Sequence, residues 1–167
     1  GFAPESILLL TFTNKASRQM LERVEELTGM GSHRFLGGTF HHVGGQCLRL
    51  FGDLINLPRS FTIMDDADSD SLLNEVIRDL EPDFFKSKEN PKAKPIKALI
   101  SFARNVGKDV EEVARARYPS NRELCSKIQS FYKIYTDAKL SRGLTDYDDL
   151  LVFWLTLMEN FEDARSY

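Results

Sequence analysis

Two short clusters of residues, each directly after an apolar run, carry the side chains best suited to binding a ligand. The first follows the aliphatic run 7–10 and consists of Thr11, Phe12, Thr13, Asn14 and Lys15. It offers two hydroxyls, an amide, an ammonium group and one aromatic ring. Donors of this kind bind phosphate oxygens, and a ring can stack on an unpaired base. The combination favours contact with a single nucleic-acid strand.

The second cluster repeats this design after the apolar segment 35–38, and consists of Thr39, Phe40 and His41. Parallel strands place their carboxyl ends at one edge of a sheet, and α/β proteins bind ligands at that edge. We therefore expect both clusters at the same edge. Two roles stay open for Phe12, which can stack on a base or pack beneath its own loop.

The elements that position these clusters follow from periodicity. A buried parallel strand at 7–10 leads into a helix over 14–28, with Thr13 as the amino-terminal cap and Gly29 as the stop. A second strand at 35–38 leads into a helix with its apolar face on Val43, Cys47, Leu48 and Phe51. The order is βαβα.

The rest of the chain reads as mostly helical. The acidic run 65–70 resembles a calcium loop, but serine and isoleucine stand where glycine and glutamate are required, so we read it as the amino end of a helix. We expect an irregular stretch from Pro82 to Pro95 and then a helix ending near 105–107. After the last helix, residues 161–167 have no evident partner.

A long helix is predicted to start at a capping box formed by Ser120 and Glu123 and to end near 142–143. Its buried stripe is Leu124, Ile128, Phe131, Tyr135 and Ala138. Lys139 is expected to lie off this face. In the helix that follows, the aspartates Asp146, Asp148 and Asp149 are read as capping groups and not as a metal site.

Charge is segregated along the chain. The net charge is −3, with an acidic stretch at 61–85 and a basic block at 86–142. The basic block is either a surface for a nucleic-acid backbone or a solvated helix face. Cys47 and Cys125 fall in apolar stretches, so we expect reduced thiols and a cytoplasmic location. No apolar run is long enough to span a membrane, and we predict no metal site and no membrane partner.

Five stretches, in matching order, resemble motifs of the UvrD/PcrA/Rep superfamily 1 DNA helicases. Residues 11–16 resemble motif Ia, and 38–41 resemble motif Ib. Residues 61–65 resemble the entry to the helical subdomain 1B, and 101–105 resemble its Ser-x-x-Lys-Asn stretch, with arginine in place of lysine. Residues 144–151 resemble the Asp-Phe-Asp-Asp-Leu stretch at the return to subdomain 1A.

The resemblance implies a protein that hydrolyses ATP with Mg²⁺, moves 3′ to 5′ along single-stranded DNA and unwinds duplex DNA in repair or replication. It implies a mostly helical α/β fold: a partial parallel P-loop-type sheet with a helical insertion. Subdomain 1A would take residues 1–64, subdomain 1B 65–143, and a return helix 144–167.

The resemblance also implies which residues contact DNA, since motifs Ia and Ib line the single-strand track of this family. The expected single-strand contacts are Thr11, Phe12, Thr13, Asn14, Thr39, Phe40 and His41, to which the chemistry of the first cluster adds Lys15. The insertion meets duplex DNA in the family, and the expected duplex contacts are Arg104, Asn105 and Lys108.

The family's phosphate loop and its Asp-Glu magnesium box do not occur in these 167 residues. Phosphoryl transfer needs both. We therefore expect no catalytic residue, no bound ATP or Mg²⁺ and no ATP hydrolysis from this chain alone, and a parallel sheet that is incomplete. Two alternatives stay open: a non-catalytic DNA- or protein-binding module, and part of a RecB/AddA-like helicase-nuclease. The sequence indicates no particular protein partner.

Overall fold

The computed structural model describes residues 3–166, which divide into two compact units. The first contains the residues up to Arg59 and those from Phe153 onward, and the second is Ser60–Val152. The chain is mostly helical with short parallel strand pairs, which confirms the predicted fold class. The assignment of subdomains to 1–64, 65–143 and 144–167 stays a prediction.

The first unit is built on two parallel strands, each followed by a helix. Strand β1 is Leu8–Thr11, helix α1 is Asn14–Thr28, strand β2 is Leu36–Thr39 and helix α2 is Phe40–Phe51. Both strands lie one residue further along the chain than predicted. The reason is that Thr11 and Thr39 pair with each other and so extend the ladder by one polar residue.

Local signals set the ends of α1 as predicted. The Thr13 Oγ1 accepts a hydrogen bond from the Ala16 N–H at 3.1 Å, and Gly29 takes the left-handed conformation at φ 66°. The apolar side chains of this helix are only partly covered. Leu27 is 68% exposed, and Ser17 is the helix's one buried residue.

The carboxyl-terminal part of the first unit is more ordered than the sequence predicted. Helix α8, Glu162–Arg165, follows α7 and buries Ala164. The Arg165 guanidinium donates to the carbonyl oxygens of Met158 and Glu159 at 3.0 and 2.9 Å. The expectation that 161–167 lacks a partner was wrong for the described residues, and Tyr167 lies outside them.

The second unit is a helical bundle closed by a short parallel ladder. Its elements are β3 Thr62–Ile63, α3 Asp66–Leu80, α4 Ala93–Asn105, α5 Val110–Arg117, α6 Arg122–Ser141 and β4 Leu144–Thr145. Helix α7, Tyr147–Asn160, begins in this unit, and its residues from Phe153 belong to the first. Pairing of β3 with β4 brings the start and end of the helical segment together.

The core of the second unit includes the predicted stripe of the long helix α6. Leu73, Ile77, Ile96, Ile128 and Phe131 are almost fully buried in one cluster. Asp65 caps α3 by accepting from the Asp68 N–H at 2.8 Å, so the acidic run begins a helix as expected. Cys125 is buried here, Cys47 is buried in the first unit, and both are free thiols.

Two local predictions in this unit were wrong, and one helix was missed. Helix α5 was not expected, because its eight residues bury only Val110 and Ala114 and so give almost no periodic signal. The cap of α6 is Asn121, whose Oδ1 accepts from the Leu124 N–H at 2.9 Å, and not Ser120. Helix α4 starts before Pro95, which occupies its first turn, where a missing N–H costs nothing.

Candidate nucleic-acid interface

The register of the first unit places the two clusters side by side. Leu8 pairs with Leu36, and the ladder ends with Thr11 opposite Thr39. The next residue on each strand is a phenylalanine. The prediction that both clusters share one edge of a parallel sheet is therefore confirmed.

Phe12 projects into solvent at this edge. Its side chain is 89% exposed, so it does not pack beneath the loop. Its ring centroid lies 5.2 Å from that of Phe40, with a tilt of 35° between the planes. Phe40 is half-buried, and its ring lies 6.5 Å from the ring of Trp154. Phe12 is thus braced on one side by a supported ring and open on the other.

The threonines of the clusters organise the loops. Thr13 caps α1, and the Thr39 Oγ1 accepts from the His42 N–H at 3.2 Å and so caps α2. The Thr11 hydroxyl donates to the Thr13 carbonyl at 3.2 Å. The two capping hydroxyls act as acceptors in these bonds, which leaves each O–H able to donate to a phosphate oxygen.

Two helix amino ends lie at this edge, because α1 starts within the first cluster at Asn14 and α2 starts within the second at Phe40. Unpaired N–H groups and the helix dipole make such ends favourable for phosphate. Neither helix has an acidic residue in its first turn. Asn14 and Lys15 are exposed in the first turn of α1, and His41 is half-buried in α2. The arrangement suits an anionic strand with unpaired bases.

The three residues predicted to contact duplex DNA lie in the second unit, and each already has a protein partner. The Arg104 side chain is 8% exposed and pairs with Asp149 at 2.7 Å. The Asn105 amide donates to Asp148 Oδ1 at 3.0 Å, and Lys108 pairs with Glu112 at 3.2 Å. Their role in DNA binding stays a prediction, but the buried guanidinium of Arg104 has little surface to offer.

Arg104 belongs to a buried ionic cluster, defined here as Arg104, Lys139, Asp146 and Asp149. The Lys139 ammonium, with a side chain 1% exposed, lies 2.5 Å from Asp146 Oδ2 and 2.6 Å from Asp149 Oδ2. The expectation that Lys139 lies off the buried face was wrong. It follows Tyr135 by four residues and so shares its face, with the ammonium 4.5 Å from the Tyr135 ring centroid.

The two aspartates of the cluster also cap α7, as predicted. The Asp149 N–H donates to Asp146 Oδ1 at 2.8 Å, and the Asp146 N–H donates to Asp149 Oδ2 at 2.9 Å. The capping role was evident from sequence. The pairing of these aspartates with two buried cations was not evident from sequence. Three aspartates near one helical turn, with too few cations close in sequence, could have indicated that cations from elsewhere in the chain pair with them.

The charge of Asp146 couples stability to pH. Burial by itself raises the pKa of Asp146, but the nearby Lys139 charge and hydrogen bonds outweigh it, so the pKa lies below its ordinary value. A carboxyl group with a lowered folded-state pKa contributes stability that is present above the unfolded pKa, about 4, and is lost as pH falls through the folded pKa.

We therefore predict that unfolding in urea shows a free energy that declines below about pH 4, and that Asp146→Asn flattens part of this decline. The amide keeps an oxygen for the Asp149 N–H, while its NH2 group replaces the Oδ2 that accepts from Lys139 and Tyr135, so the change removes the charge and these two hydrogen bonds. The variant should be less stable than the parent at pH 7. Asp137→Asn, at an exposed position of α6, is the control. Equal pH profiles for the two variants would contradict the prediction.

Within residues 3–166, no group of three or more His, Cys, Asp or Glu side chains is placed to hold a metal ion. None of the helices in that range is both long and apolar enough to cross a membrane.

The parallel sheet edge with its two Thr-Phe loops, and the helical segment that β3 and β4 bring together, agree with the family that the sequence resembles. This chain belongs to the UvrD/REP helicase N-terminal domain family, whose model matches residues 1–167. It is similar to the ATP-dependent DNA helicase PcrA of Bacillus subtilis (strain 168), with 32% identity over 99% of this chain and 21% of that protein.

Other PcrA helicases show similar identity. That of Staphylococcus aureus (strain Mu50 / ATCC 700699) is 29% identical over 99% of this chain and 22% of its own length, and that of Staphylococcus epidermidis (strain RP62A) matches to the same extent. The chain spans about a fifth of the length of the curated relatives it matches.

Proposed function

We propose that this chain is the part of an ATP-dependent DNA helicase that holds the single strand. The observation that carries the proposal is the exposed ring of Phe12, braced by Phe40 at a sheet edge where two helices begin. Bases stack on such a ring, while phosphates accept from the N–H and O–H groups around it. The relatives named as ATP-dependent DNA helicases support the assignment.

The proposed contacts divide by chemistry. Phe12 stacks on a base, and Phe40 holds it in place. Phosphates meet Thr11, Thr13, Asn14, Lys15, Thr39 and His41, together with the amino ends of the two helices. These groups read no base edge, so binding is independent of sequence, as movement along a strand requires.

The remaining activities are proposed for the longer protein. They are ATP hydrolysis with Mg²⁺, movement 3′ to 5′, unwinding of duplex DNA in repair or replication, and a cytoplasmic location. Gly-x-x-x-x-Gly-Lys-Thr does not occur in these 167 residues, so they do not supply the phosphate loop that holds ATP in this family. This chain contributes to the coupling of ATP hydrolysis to movement, because it binds the DNA strand along which the longer protein moves.

A titration with a labelled single-stranded oligonucleotide tests the proposed binding of single-stranded DNA. We expect weak binding, and we expect the logarithm of the association constant to fall linearly with the logarithm of the salt concentration. Lys15→Ala should weaken binding and reduce the magnitude of that slope by about 0.7, the value for one phosphate contact on a single strand.

Lys133→Ala is the matched control, because Lys133 is exposed on α6 in the second unit and its substitution removes the same charge. Identical affinity and salt slope for the Lys15 and Lys133 variants would show that Lys15 acts only through the net charge of the protein. Lys15 would then not be a contact residue.

A further inference from the structure

A concave, strongly charged surface lies in the second unit, where α3 connects to α4. It is an open groove of about 850 Å³, called here the basic groove. Residues of α3 line it together with the connection that follows and the first turn of α4. The charged groups in the lining are one carboxylate, Asp70, and five cations, which are Arg78, Lys86, Lys88, Lys92 and Lys94.

The cations of the basic groove are largely uncompensated. Lys86 pairs with Asp83 at 2.7 Å, and Asp70 pairs with Lys97 at 2.8 Å, so the groove's one carboxylate is already neutralised. Among the described residues, no ion pair or hydrogen bond engages the side chains of the other four cations. Glu89, the remaining acid of the connection, does not line the groove. The groove therefore attracts an anionic ligand.

Two of these lysines also occupy positions that are unfavourable in the free protein. Lys92 is the amino-terminal cap of α4 but makes no capping hydrogen bond, and Lys94 lies in the first turn, which has no acidic residue. Cations at the positive end of a helix dipole are repelled by it. A bound carboxylate relieves this repulsion.

Two asparagines give the basic groove hydrogen-bond acceptors as well. The side-chain amide of Asn74 donates to the Asp70 carbonyl, and that of Asn90 donates to the Phe84 carbonyl, each at 2.8 Å. These bonds orient the two NH2 groups, and no donor among the described residues engages either Oδ1. The phosphate diesters of a nucleic acid accept hydrogen bonds but have none to donate. The free Oδ1 atoms therefore favour a ligand that carries N–H groups.

The lining includes an apolar patch, formed by Pro82, Phe85 and Ala93. Phe85 is half-buried, and its ring packs edge-on against Phe84 with centroids 5.3 Å apart. Phe84 is buried in the core of this unit, so the patch is carried on an anchored part of the connection. An apolar side chain of a ligand can lie on Phe85 between the surrounding cations.

The size of the groove matches a short stretch of peptide. Asp70, Asn74 and Arg78 follow one another at intervals of four residues and so share one face of α3. Eight residues of helix rise by about 12 Å. An extended chain covers that distance with about four residues.

We propose that the basic groove docks a short acidic peptide segment of a partner protein, with an apolar residue among its carboxylates. The carboxylates pair with Arg78 and the unpaired lysines, backbone N–H groups donate to Asn74 or Asn90, and the apolar side chain lies on Phe85. This protein contact is separate from the proposed binding of single-stranded DNA, which uses the Thr-Phe loops of the first unit.

The test compares wild type with the triple variant Lys88→Gln, Lys92→Gln and Lys94→Gln of the 167-residue chain. The probe is a labelled eight-residue peptide with five aspartates, two glycines and one leucine, titrated at fixed low salt and followed by fluorescence anisotropy. Loss of three exposed ion pairs should weaken binding by about 3- to 150-fold. The melting temperature should not fall, because the three side chains are exposed and unpaired.

The control is the triple variant Arg117→Gln, Arg122→Gln and Lys133→Gln, which removes the same net charge from exposed positions outside the groove. It should bind the acidic peptide more tightly than the groove variant does. Equal losses in both triple variants would overturn the proposal, since only the net charge of the protein would then matter. Unchanged peptide binding in the groove variant would overturn it as well.

Two other polyanions test whether the groove is specific for a peptide. Wild type should bind the acidic peptide more tightly than inorganic polyphosphate of equal charge, because only the peptide has N–H groups and an apolar side chain. Tighter binding of the polyphosphate would overturn the proposal. A 20-base-pair DNA duplex that loses as much affinity as the peptide in the groove variant would identify a nucleic-acid surface, and would overturn it too.

Two further readouts separate this inference from the proposed function. The groove variant should bind a single-stranded oligonucleotide with nearly unchanged affinity, whereas Phe12→Ala should lose affinity for the oligonucleotide and keep its affinity for the peptide. A groove variant that keeps peptide binding, while Phe12→Ala loses single-strand binding, overturns the docking of a peptide and leaves the proposed function standing.

Discussion

Lys139→Met is expected to lower the free energy of unfolding by about 3–5 kcal/mol. The wild-type ionic cluster holds two cations and two carboxylates, and the substitution leaves Arg104 as the one cation beside Asp146 and Asp149. Arg104 lies 3.6 Å from Asp146, a distance too long to replace the lost contact fully. An excess negative charge then stays buried, which is far more costly than the loss of an exposed ion pair.

Thermal and urea denaturation followed by circular dichroism measure this effect. At about 2–4 °C for each kcal/mol, the melting temperature should fall by roughly 6–20 °C. Lys133→Met makes the same change at an exposed position of the same helix and should stay within about 0.5 kcal/mol of wild type.

A double variant keeps the result interpretable. Lys139→Met combined with Asp146→Asn removes one charge of each sign, so its destabilisation should be smaller than the sum of the two single effects. Additive losses, or a Lys139 variant as stable as the Lys133 variant, would show that the cluster does not act as one unit.

Phe12→Ala is expected to lower the affinity for single-stranded DNA by about 5- to 150-fold, which corresponds to the 1–3 kcal/mol of stacking on one base. The folded structure should be unaffected, because the side chain is 89% exposed and buries little area. Fluorescence anisotropy at fixed low salt measures the affinity, and the melting temperature confirms that the fold is intact.

The matched control is Phe102→Ala, which removes an exposed ring from α4 in the second unit. Phe12→Trp should retain or increase the affinity, because a larger ring stacks at least as well, while Phe12→Leu should behave like the alanine variant. Equal affinity for wild type and Phe12→Ala would exclude stacking on Phe12 as the basis of the grip.

Sequence reasoning succeeded where the determining interactions are local. Thr13 and Gly29 fix the ends of α1 through bonds to residues at most four positions away, and both are visible as residue types. The two Thr-Phe clusters were found by the same logic, since strand, cap and helix follow one another in the chain. The shared sheet edge needed one further rule, that parallel strands end together.

The failures have a different physical origin. Arg104 and Lys139 look like surface cations in the sequence, because their carboxylate partners lie on another element and only packing brings them together. The cap of α6 shifted by one residue because Ser120 and Asn121 are both good caps and their order does not decide between them. Helix α5 is too short to show a period. None of these needs unusual chemistry. The ionic cluster depends on tertiary neighbours, whereas the cap of α6 and helix α5 are local features with an ambiguous or weak signal in the sequence.

The adjacent, tilted rings of Phe12, Phe40 and Trp154 give the molecule an optical property at its proposed strand-binding edge. Trp154 is the single tryptophan of the chain, and its ring lies next to that of Phe40, which braces Phe12. Indole emission responds to changes in its immediate surroundings, so the chain's own fluorescence originates beside the loop that should close on a base. Trp154 is thus a native fluorescent reporter for the proposed binding of a DNA strand, and the chain contains no second tryptophan that would contribute to its signal.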